Sequence, residues 1–379
     1  MVSIREVSNK QEKDDFLLLP WDIYENDPYW VPPLLMAVKQ SLDTQKNPFY
    51  KHAKLKLWNA YRGNDCVGRI AGIIDDRHNE FHEEKTGFWG FFECIDDQEV
   101  ANSLFSQVEA WIKSEGMNTL RGPMSPSTNY ECGMQIDAFE TKPFIMMTQN
   151  PPYYPRLVEA AGFGKAKDLY AWIVSDESRS KVDSRLVEKA KRLEQASHVT
   201  YRHVDMKNFD AEVERMLEIY NDAWEKNWGF VPMTDEEFRA MAKDMKSIVV
   251  PELILMVEVR GEPAGFGVML PDVNQAMEKV RDGKLFPTGL LKLLWHTKVR
   301  KTVNRGRIPL LGVKKKFRHL GLGSLIYLKY FEVGPKLGYP VAECSWILED
   351  NEAMNLGLKY MNASMYKTYR IYDKPVAMQ

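Results

Sequence analysis

The sequence predicts a mixed α/β fold that occurs twice in one chain. Apolar runs of strand length alternate with longer runs whose apolar residues recur at helical spacing, which is typical of α/β folds. A chain of 379 residues also exceeds what one hydrophobic core usually organises. The halves echo each other, because Trp30-Val31-Pro32 recurs as Phe230-Val231-Pro232 at an offset of 200 (230 minus 30). We therefore expect two tandem domains, 1–180 and 195–379, each built on a mixed sheet.

The elements of the first half follow from turn and capping signals. Strands at 55–61 and 66–74 are separated by a Gly-Asn turn and form a predicted hairpin. A helix is expected next, with Asp96 and Glu99 as its capping box and Gly116 as its stop. This order of hairpin and helix is the first copy of the predicted fold.

The second half repeats the same order. Thr234 and Glu237 form another capping box ahead of a helix. The other predicted elements are a strand at 200–204, a helix at 210–226, and a hairpin of strands at 252–259 and 264–270. The agreement between the two halves supports a duplicated fold.

Composition and charge narrow the class of protein. Lys and Arg (51) nearly balance Asp and Glu (53), so no global positive field favours nucleic acid, and no nucleic-acid partner is expected. The four cysteines are scattered, and His78 and His82 lack a third ligand, so no metal is expected. Residues 1–10 contain no apolar signal core, and no apolar run of about 20 residues occurs in the sequence. We expect a cytoplasmic protein, soluble or peripheral to a membrane.

The most informative motif is 318–323, which reads R-x-x-G-x-G between an apolar strand-like run and a helix-like run. Glycines at such a turn let the backbone approach a ligand, and the first helical amides have no partners of their own. Together with the partial positive charge at a helix start, this pattern predicts an anion site. Three preceding lysines, Lys314, Lys315 and Lys316, suit further phosphates. The alternative is an ordinary strand-to-helix turn.

The order of strand, R-x-x-G-x-G, helix, strand and Asn-led helix resembles the coenzyme A site of the GNAT acyltransferase superfamily. The resemblance implies acyl-CoA as co-substrate. It assigns Leu311, Gly312 and Val313 to the pantetheine arm, Arg318, His319, Leu320, Gly321, Leu322, Gly323 and Ser324 to the phosphates, and Asn351 to the start of the following helix. The first half has no R-x-x-G-x-G before its corresponding helix, so one acyl-CoA per chain is expected.

Amine acylation needs a neutral amine, donors for the developing oxyanion and an acid for the leaving thiolate. In the superfamily the acid is usually a tyrosine of the Asn-led helix, but that position falls on Leu358 here. Tyr360 and Tyr366 are the nearest replacements, or else simply aromatic residues that cover a sheet edge. Glu343 could organise a water or the ammonium group, unless it is a buried carboxylate paired with a lysine.

A polar loop at 121–149 and the segment after it have no periodicity and suit a binding loop. Its candidate acceptor-binding residues are Ser127, Asn129, Glu131, Asn150 and Tyr153. The alternative is a solvated connection with Asx turns. Together with the Trp-Val-Pro-Pro at Trp30 and a Gly-Phe-Phe-Glu-Cys run, this stretch resembles the bacterial ceramide-synthase-like family of tandem GNAT proteins.

This second resemblance implies N-acylation of a small-molecule or lipid amine, such as a long-chain sphingoid-like amine, by the second half. The first half would then shape the acceptor site. Two alternatives stay open. One is acyl transfer from a carrier protein or an aminoacyl-tRNA, and the other is a non-catalytic acyl-CoA-binding module.

The segment 290–305 bears on the acceptor because it is both basic and amphipathic. Leucines and Trp295 alternate there with lysines and arginines. Such a helix can lie on an anionic bilayer, which would place the protein at the inner membrane face. The alternative is a helix packed into the core, with only its basic residues facing water.

Overall fold

The computed structural model describes residues 1–225 and 227–377. Lys226, the last residue of the helix predicted at 210–226, and residues 378 and 379 of the second predicted domain lie outside the described residues. In the first half the strands are β1 (Ser3–Glu6), β2 (Ala53–Arg62), β3 (Asp65–Asp75), β4 (Thr86–Cys94), β5 (Thr119–Gly122), β6 (Met124–Ser125), β7 (Glu131–Cys132), β8 (Met134–Gln135) and β9 (Gly164–Val174). The helices are α1 (Lys10–Ile23), α2 (Leu35–Ser41), α3 (Asp76–His82), α4 (Gln98–Ser114) and α5 (Tyr154–Ala160).

The second half follows the same plan after two connecting helices. Its helices are α6 (Asp176–Ser180), α7 (Ser184–Gln195), α8 (Phe209–Trp224), α9 (Asp235–Met245), α10 (Asn274–Met277), α11 (Gly289–Leu294), α12 (Leu322–Lys336) and α13 (Glu352–Tyr360). Its strands are β10 (Val199–His203), β11 (Ile254–Val259), β12 (Glu262–Pro271), β13 (Arg305–Val313), β14 (Val341–Leu348) and β15 (Ser364–Pro375). Among the described residues, no helix is both long and apolar enough to cross a bilayer.

Strand pairing confirms the duplicated mixed sheet. β1 pairs antiparallel with β2, β3 antiparallel with β4, and β4 parallel with β5. In the second half β10 pairs antiparallel with β11, β12 antiparallel with β13, and β13 parallel with β14. The same alternation of pairings in the same order identifies one fold used twice.

The chain forms two compact units, and each has its own core. The first contains Met1–Leu169, Met277–Leu290 and Thr368–Gln379, and the second contains Tyr170–Ala276 and Leu291–Lys367. Strands β9 and β15 therefore contribute residues to both units. The first core is rich in aromatic residues, among them Trp58, Trp89, Phe92 and Phe105. The second core is mainly aliphatic and includes Leu253, Leu255, Leu325, Ile326 and Leu358.

The N-terminal caps of the helices follow the sequence signals with one correction. Thr234 accepts a hydrogen bond from the Glu237 amide, as its capping box predicts. For α4, however, the cap is Asp97 rather than Asp96, because its carboxylate accepts hydrogen bonds from the amides of Glu99 and Val100 at 2.9 and 3.3 Å. From sequence spacing alone, either of the two adjacent aspartates could cap the helix. The direction in which the chain enters the helix decides which one does.

Replacing Asp97 with alanine should lower the free energy of unfolding of the first unit by about 1 kcal/mol, because two helical amides lose their acceptor. The matched control is Asp96→Ala, which removes only a surface ion pair with Arg156 and should cost at most a few tenths. Urea denaturation of both variants makes the comparison. An equal or larger loss in Asp96→Ala would contradict the assignment of the cap.

Candidate active site

The two central strands of the second unit separate part of the way along their length. β13 and β14 pair in parallel from Arg305 with Val341 as far as Ile308 with Cys344. Both strands continue beyond this point, and β13 stays paired with β12 as far as Val313. Because neighbouring strands normally stay about 5 Å apart, the loss of pairing opens a cleft between the strand ends.

The cause of the separation lies in β13 itself. Its pairing with β12 shifts register between Val268 and Leu270, where β13 carries one extra residue. Pro309 stands in this bulge and has no N–H to donate to a neighbouring strand. A bulge and a missing donor at the same place turn the strand away from β14.

The register also directs two backbone amides toward the cleft. The Lys314 amide donates to the Ala264 carbonyl of β12 at 2.9 Å. Successive residues of a strand alternate in direction, so the amides of Val313 and Leu311 are directed to the side that β14 has left. The cleft therefore offers backbone donors along one wall.

A cavity of about 590 Å³ occupies the cleft. Of the residues predicted to hold the cofactor, the following line it: Leu311, Gly312, Val313, Arg318, Gly321, Leu322, Gly323, Ser324 and Asn351. His319 and Leu320 lie in the preceding 3₁₀ turn, outside the lining. Asn351 caps α13, where its side chain accepts a hydrogen bond from the Met354 amide at 3.3 Å. The structure thus gathers most of the predicted set around one cavity.

The N-terminus of α12 opens into this cavity without a side-chain cap. Its cap residue is Gly321, at a φ of 76°, a conformation that residues with a Cβ rarely adopt. A Cβ built on Gly323 would meet no atom within 4 Å, so space is open above the first helical turn. The first amides of a helix generally have no intrahelical acceptor. Here the Ser324 amide reaches the Gly321 carbonyl at 3.0 Å, and within the described chain no side chain caps the amides of Leu322 and Gly323. An anion can therefore contact the backbone directly.

Three basic side chains surround this helix start, and two of them come from another helix. Arg318 lines the cavity and donates to the Ala223 carbonyl at 2.5 Å. Arg185 and Lys189 on α7 also line it, and a Cβ on Gly321 would overlap the Lys189 side chain. Arg185 is paired with Asp183, whereas Lys189 forms no ion pair within the described chain. An unpaired ammonium beside bare amides is suited to phosphate.

The three lysines of the motif itself have a different role. Lys314 is buried and pairs with Glu218 at 2.7 Å, while Lys316 pairs with Glu262 at 2.5 Å. Lys315 pairs with Glu225. None of the three lines the cavity. Their charges are neutralised by carboxylates that lie far away in sequence, and the basic groups at the cavity are those of α7 and Arg318 instead.

The corresponding region of the first unit is closed. β4 and β5 also pair only from Thr86 with Thr119 to Phe88 with Arg121. Beyond that point β6 fills the space, since a Cβ on Gly90 would overlap the Met124 carbonyl and the Phe91 amide donates to the Ser125 hydroxyl at 3.0 Å. The start of α4 is capped by its own aspartate. The first copy thus retains the fold without the cleft or the free amides.

The predicted acid–base residues are only partly at the cavity. Glu343 is fully buried outside the lining, where it accepts hydrogen bonds from Ser345 at 2.7 Å and from Tyr366. Arg307 donates to Ser345 at 2.8 Å and lies 3.8 Å from the Glu343 carboxylate. The partner of Glu343 is therefore an arginine rather than a lysine. Ser345 lines the cavity and links it to this buried network.

Two tyrosines line the cavity at different places. Tyr360 lies at the end of α13, with the Arg185 guanidinium 5.2 Å above its ring. Tyr327 on α12 directs its hydroxyl to the sulfur of Met354 at 3.2 Å, and burial raises its pKa. Leu358, at the position of the superfamily tyrosine, is fully buried in the core. The structure thus places the hydroxyl of an α12 tyrosine beside α13, whose own candidate position is occupied by Leu358.

The candidates of the first unit form a structured hairpin tip and a buried anchor. The Ser127 hydroxyl accepts a hydrogen bond from the Asn129 amide at 3.2 Å, and Glu131 begins β7. Asn150 is buried and exchanges hydrogen bonds with the Gln135 backbone at 2.7 and 3.1 Å. Tyr153 donates to the Cys94 carbonyl at 2.8 Å. The last two side chains therefore hold the loop in place.

Sequence reasoning missed Lys189, Ser345 and Tyr327. A pattern was available only for Ser345, which lies two residues after Glu343 on the same strand and therefore shares its face. Lys189 belongs to an ordinary basic amphipathic helix, and Tyr327 to an almost uniformly apolar one. Nothing local distinguishes these two residues, because the packing of α7 and α13 around α12 brings them to the cavity.

Solved structures resemble this chain over its full length. A tandem GNAT protein from the clavulanic acid biosynthesis pathway superposes with a TM-score of 0.58 at 11% identity, covering 100% of this chain and 99% of its own. A GCN5-related N-acetyltransferase from Sphaerobacter thermophilus gives 0.55 at 14% identity, with 99% and 96% covered. Similarity at such low identity establishes the tandem GNAT fold and nothing finer.

Curated proteins match at much higher identity. A protein named bacterial ceramide synthase from Caulobacter vibrioides is 38% identical over 380 residues, which cover 98% of this chain and 97% of that protein. The protein YghO of Escherichia coli K12 is 36% identical over 382 residues, with 98% and 95% covered. No model of a known protein family matches the chain.

Proposed function

This chain belongs to the bacterial ceramide-synthase-like family of tandem GNAT acyltransferases, and we propose that it transfers an acyl group from acyl-CoA to the amine of a long-chain, sphingoid-like acceptor. The observation that carries the proposal is the uncapped start of α12 at Gly321, which opens into the cleft between β13 and β14. The first unit has neither feature. One acyl-CoA site per chain follows, in the second unit.

The residues present suit acyl-CoA along its whole length. The amides after Gly321, together with Lys189 and Arg318, would hold the diphosphate, since phosphate favours helix starts and cations. The amides of Val313 and Leu311 would hydrogen-bond the pantetheine arm, which is itself an extended chain of amides. The same strand amides can stabilise an oxyanion when the amine attacks the thioester.

We assign the proton donor for the leaving thiolate to Tyr327. Its hydroxyl lies in the apolar part of the cavity beside Met354, and its raised pKa keeps it protonated. Tyr360 lies under Arg185, which is one of the basic residues around the helix start assigned to the phosphates. Tyr366 and Glu343 lie outside the cavity lining. Tyr366 donates a hydrogen bond to Glu343, and Ser345, which also donates to Glu343, connects both residues to the cavity.

Acceptor recognition is assigned to the first unit, at the hairpin tip formed by Ser127, Asn129 and Glu131. Ser127 and Asn129 lie between β6 and β7, and Glu131 begins β7. Asn150 and Tyr153 hydrogen-bond the backbone of Gln135 and Cys94. A hydroxyl, an amide and a carboxylate are suited to the polar amine end of a long-chain base. The name of the Caulobacter relative, a ceramide synthase, supports an acceptor of this chemical class.

The direct test is amine-dependent release of CoA from long-chain acyl-CoA, with sphinganine as the acceptor and a short soluble amine beside it. Amide formation with release of CoA supports the proposal. If the chain binds CoA but releases none with any of the amines, the binding-module alternative is favoured. The presence of Leu358 at the position of the superfamily tyrosine supports that alternative. If the chain neither binds CoA nor releases it, both the enzyme and the binding-module readings are refuted.

Gly323→Val should leave the fold intact and abolish CoA binding. A Cβ at this position lies in open space and the substitution replaces a residue of low helix propensity, yet the valine side chain fills the space assigned to the diphosphate. We expect at least about a hundredfold weaker binding, since diphosphate contacts of about 3 kcal/mol are lost. Gly164→Val, which also adds a side chain in open space, is the control. Unchanged CoA affinity in Gly323→Val would exclude this helix start as the site.

Lys189→Gln should weaken CoA binding about tenfold, because one charge-assisted hydrogen bond is lost. The effect should shrink at high ionic strength as the interaction becomes screened. Lys191→Gln is the control, since Lys191 is exposed on the same helix and does not line the cavity. Titration calorimetry of both variants with CoA measures the difference. Equal affinities would exclude Lys189 from phosphate binding.

Tyr327→Phe should lower kcat by at least about a hundredfold and leave CoA affinity unchanged, as expected for loss of a general acid. Tyr330→Phe is the control on the same helix, because that hydroxyl donates to the Leu253 carbonyl within the core at 3.2 Å. It should lose stability but keep its rate. A Tyr327→Phe enzyme with normal kcat, alongside an impaired Tyr360→Phe enzyme, would move the role to Tyr360.

A further inference from the structure

The segment 291–301 of the second unit exposes large apolar side chains to solvent. It continues α11 through one wider helical turn, Trp295–Val299. Leu291 is 67% exposed, Leu294 47%, Trp295 54% and Val299 60%. Their spacing of three, one and four residues places them on one helical face. An exposed apolar face of this kind is typical of a surface that binds a partner or a membrane.

This exposure overturns the alternative in which the helix packs into the core with only its basic residues outside. The side of the helix that faces the protein carries Leu293 and Thr297, which are both partly buried. The Thr297 hydroxyl donates to the Leu293 carbonyl at 2.7 Å. Among the tryptophans that the structure describes, Trp295 alone is classed as exposed. The largest apolar group of the segment thus points away from the protein.

The charge of the region has a single sign. No Asp or Glu occurs between residues 283 and 331, although the whole chain is nearly neutral. Lys292, Lys298, Arg300 and Lys301 are exposed and form no ion pair with any described residue. The cations at 314–316 pair with carboxylates, but those of this segment do not. Exposed apolar residues flanked by unpaired cations are suited to a partner that has an anionic outer layer and an apolar interior.

We propose that the segment 291–301 docks the protein on an anionic lipid bilayer. The helix would lie in the interface, with its leucines and Trp295 inserted among the acyl chains and its cations on the lipid phosphates. A second copy of this chain fits less well, because a symmetric contact would place like charges together without acids to neutralise them. Docking does not require the reaction, but its benefit, access to a lipid amine, rests on the proposed function.

The test is co-sedimentation of the full chain with vesicles. Vesicles of equal parts phosphatidylglycerol and phosphatidylcholine should bind it, and phosphatidylcholine alone should bind it much less. Replacing Lys292, Lys298, Arg300 and Lys301 together with Gln should weaken binding to the anionic vesicles at least about tenfold, since each cation near the surface contributes. Leu291→Ser combined with Trp295→Ser should weaken it about as much by removing the inserted face.

Matched controls exist on other surfaces of the chain. Lys13, Lys39, Lys243 and Lys336 are also exposed and form no ion pair with any residue that the structure describes, and Leu18 is 45% exposed. Their replacement with Gln, or with Ser for Leu18, should leave vesicle binding unchanged. Equal binding to neutral and anionic vesicles, or equal loss in the controls, would overturn the proposal. So would a concentration-dependent dimer that the Leu291→Ser, Trp295→Ser variant abolishes.

Activity separates this inference from the reaction. With a short soluble amine, the surface variants should keep the CoA affinity and turnover of the unmodified chain, while turnover of sphinganine in anionic vesicles falls with vesicle binding. If the chain binds vesicles but releases no CoA with any amine, docking stands and the proposed reaction fails. If turnover is normal without vesicle binding, the reaction stands and docking fails.

Discussion

The site depends on one constraint, the inability of β13 to stay paired with β12 and β14 at the same time. The extra residue near Pro309 keeps the strand on β12 and turns it from β14 after Ile308 and Cys344. Backbone groups left without a strand partner are costly when buried and useful when they face a ligand. The cavity, its directed amides and its access to α12 all follow from this separation.

The two copies of the fold show how small a difference distinguishes a site from a structural repeat. Both have a bulged strand that leaves its parallel neighbour early. In the first copy, the chain after β5 fills the space and Asp97 satisfies the helical amides. In the second, the cap residue Gly321 has no side chain, so no side chain caps the positive end of the helix.

Several residues changed their apparent role once their neighbours were known. The lysines at 314–316 are suited to phosphate by sequence, but Glu218 and Glu262 neutralise two of them in the folded chain. The amphipathic segment near Trp295 fitted either a bilayer surface or the core by sequence, and in the folded chain its apolar face is exposed. In both cases the partners of the side chains, and not the side chains themselves, were left open by the sequence.

The sequence alone determined the duplicated α/β fold, the hairpins, most of the helix limits and the glycine turn at Gly321. These depend on periodicity and on backbone conformations that a few neighbouring residues impose. Only the tertiary structure decided that Lys189 and Tyr327 join the cavity, and that Asp97 rather than Asp96 caps α4. Those contacts depend on how the helices pack and on the direction in which the chain enters each helix. Both are set by residues that lie far apart in sequence, so no local sequence pattern can predict them.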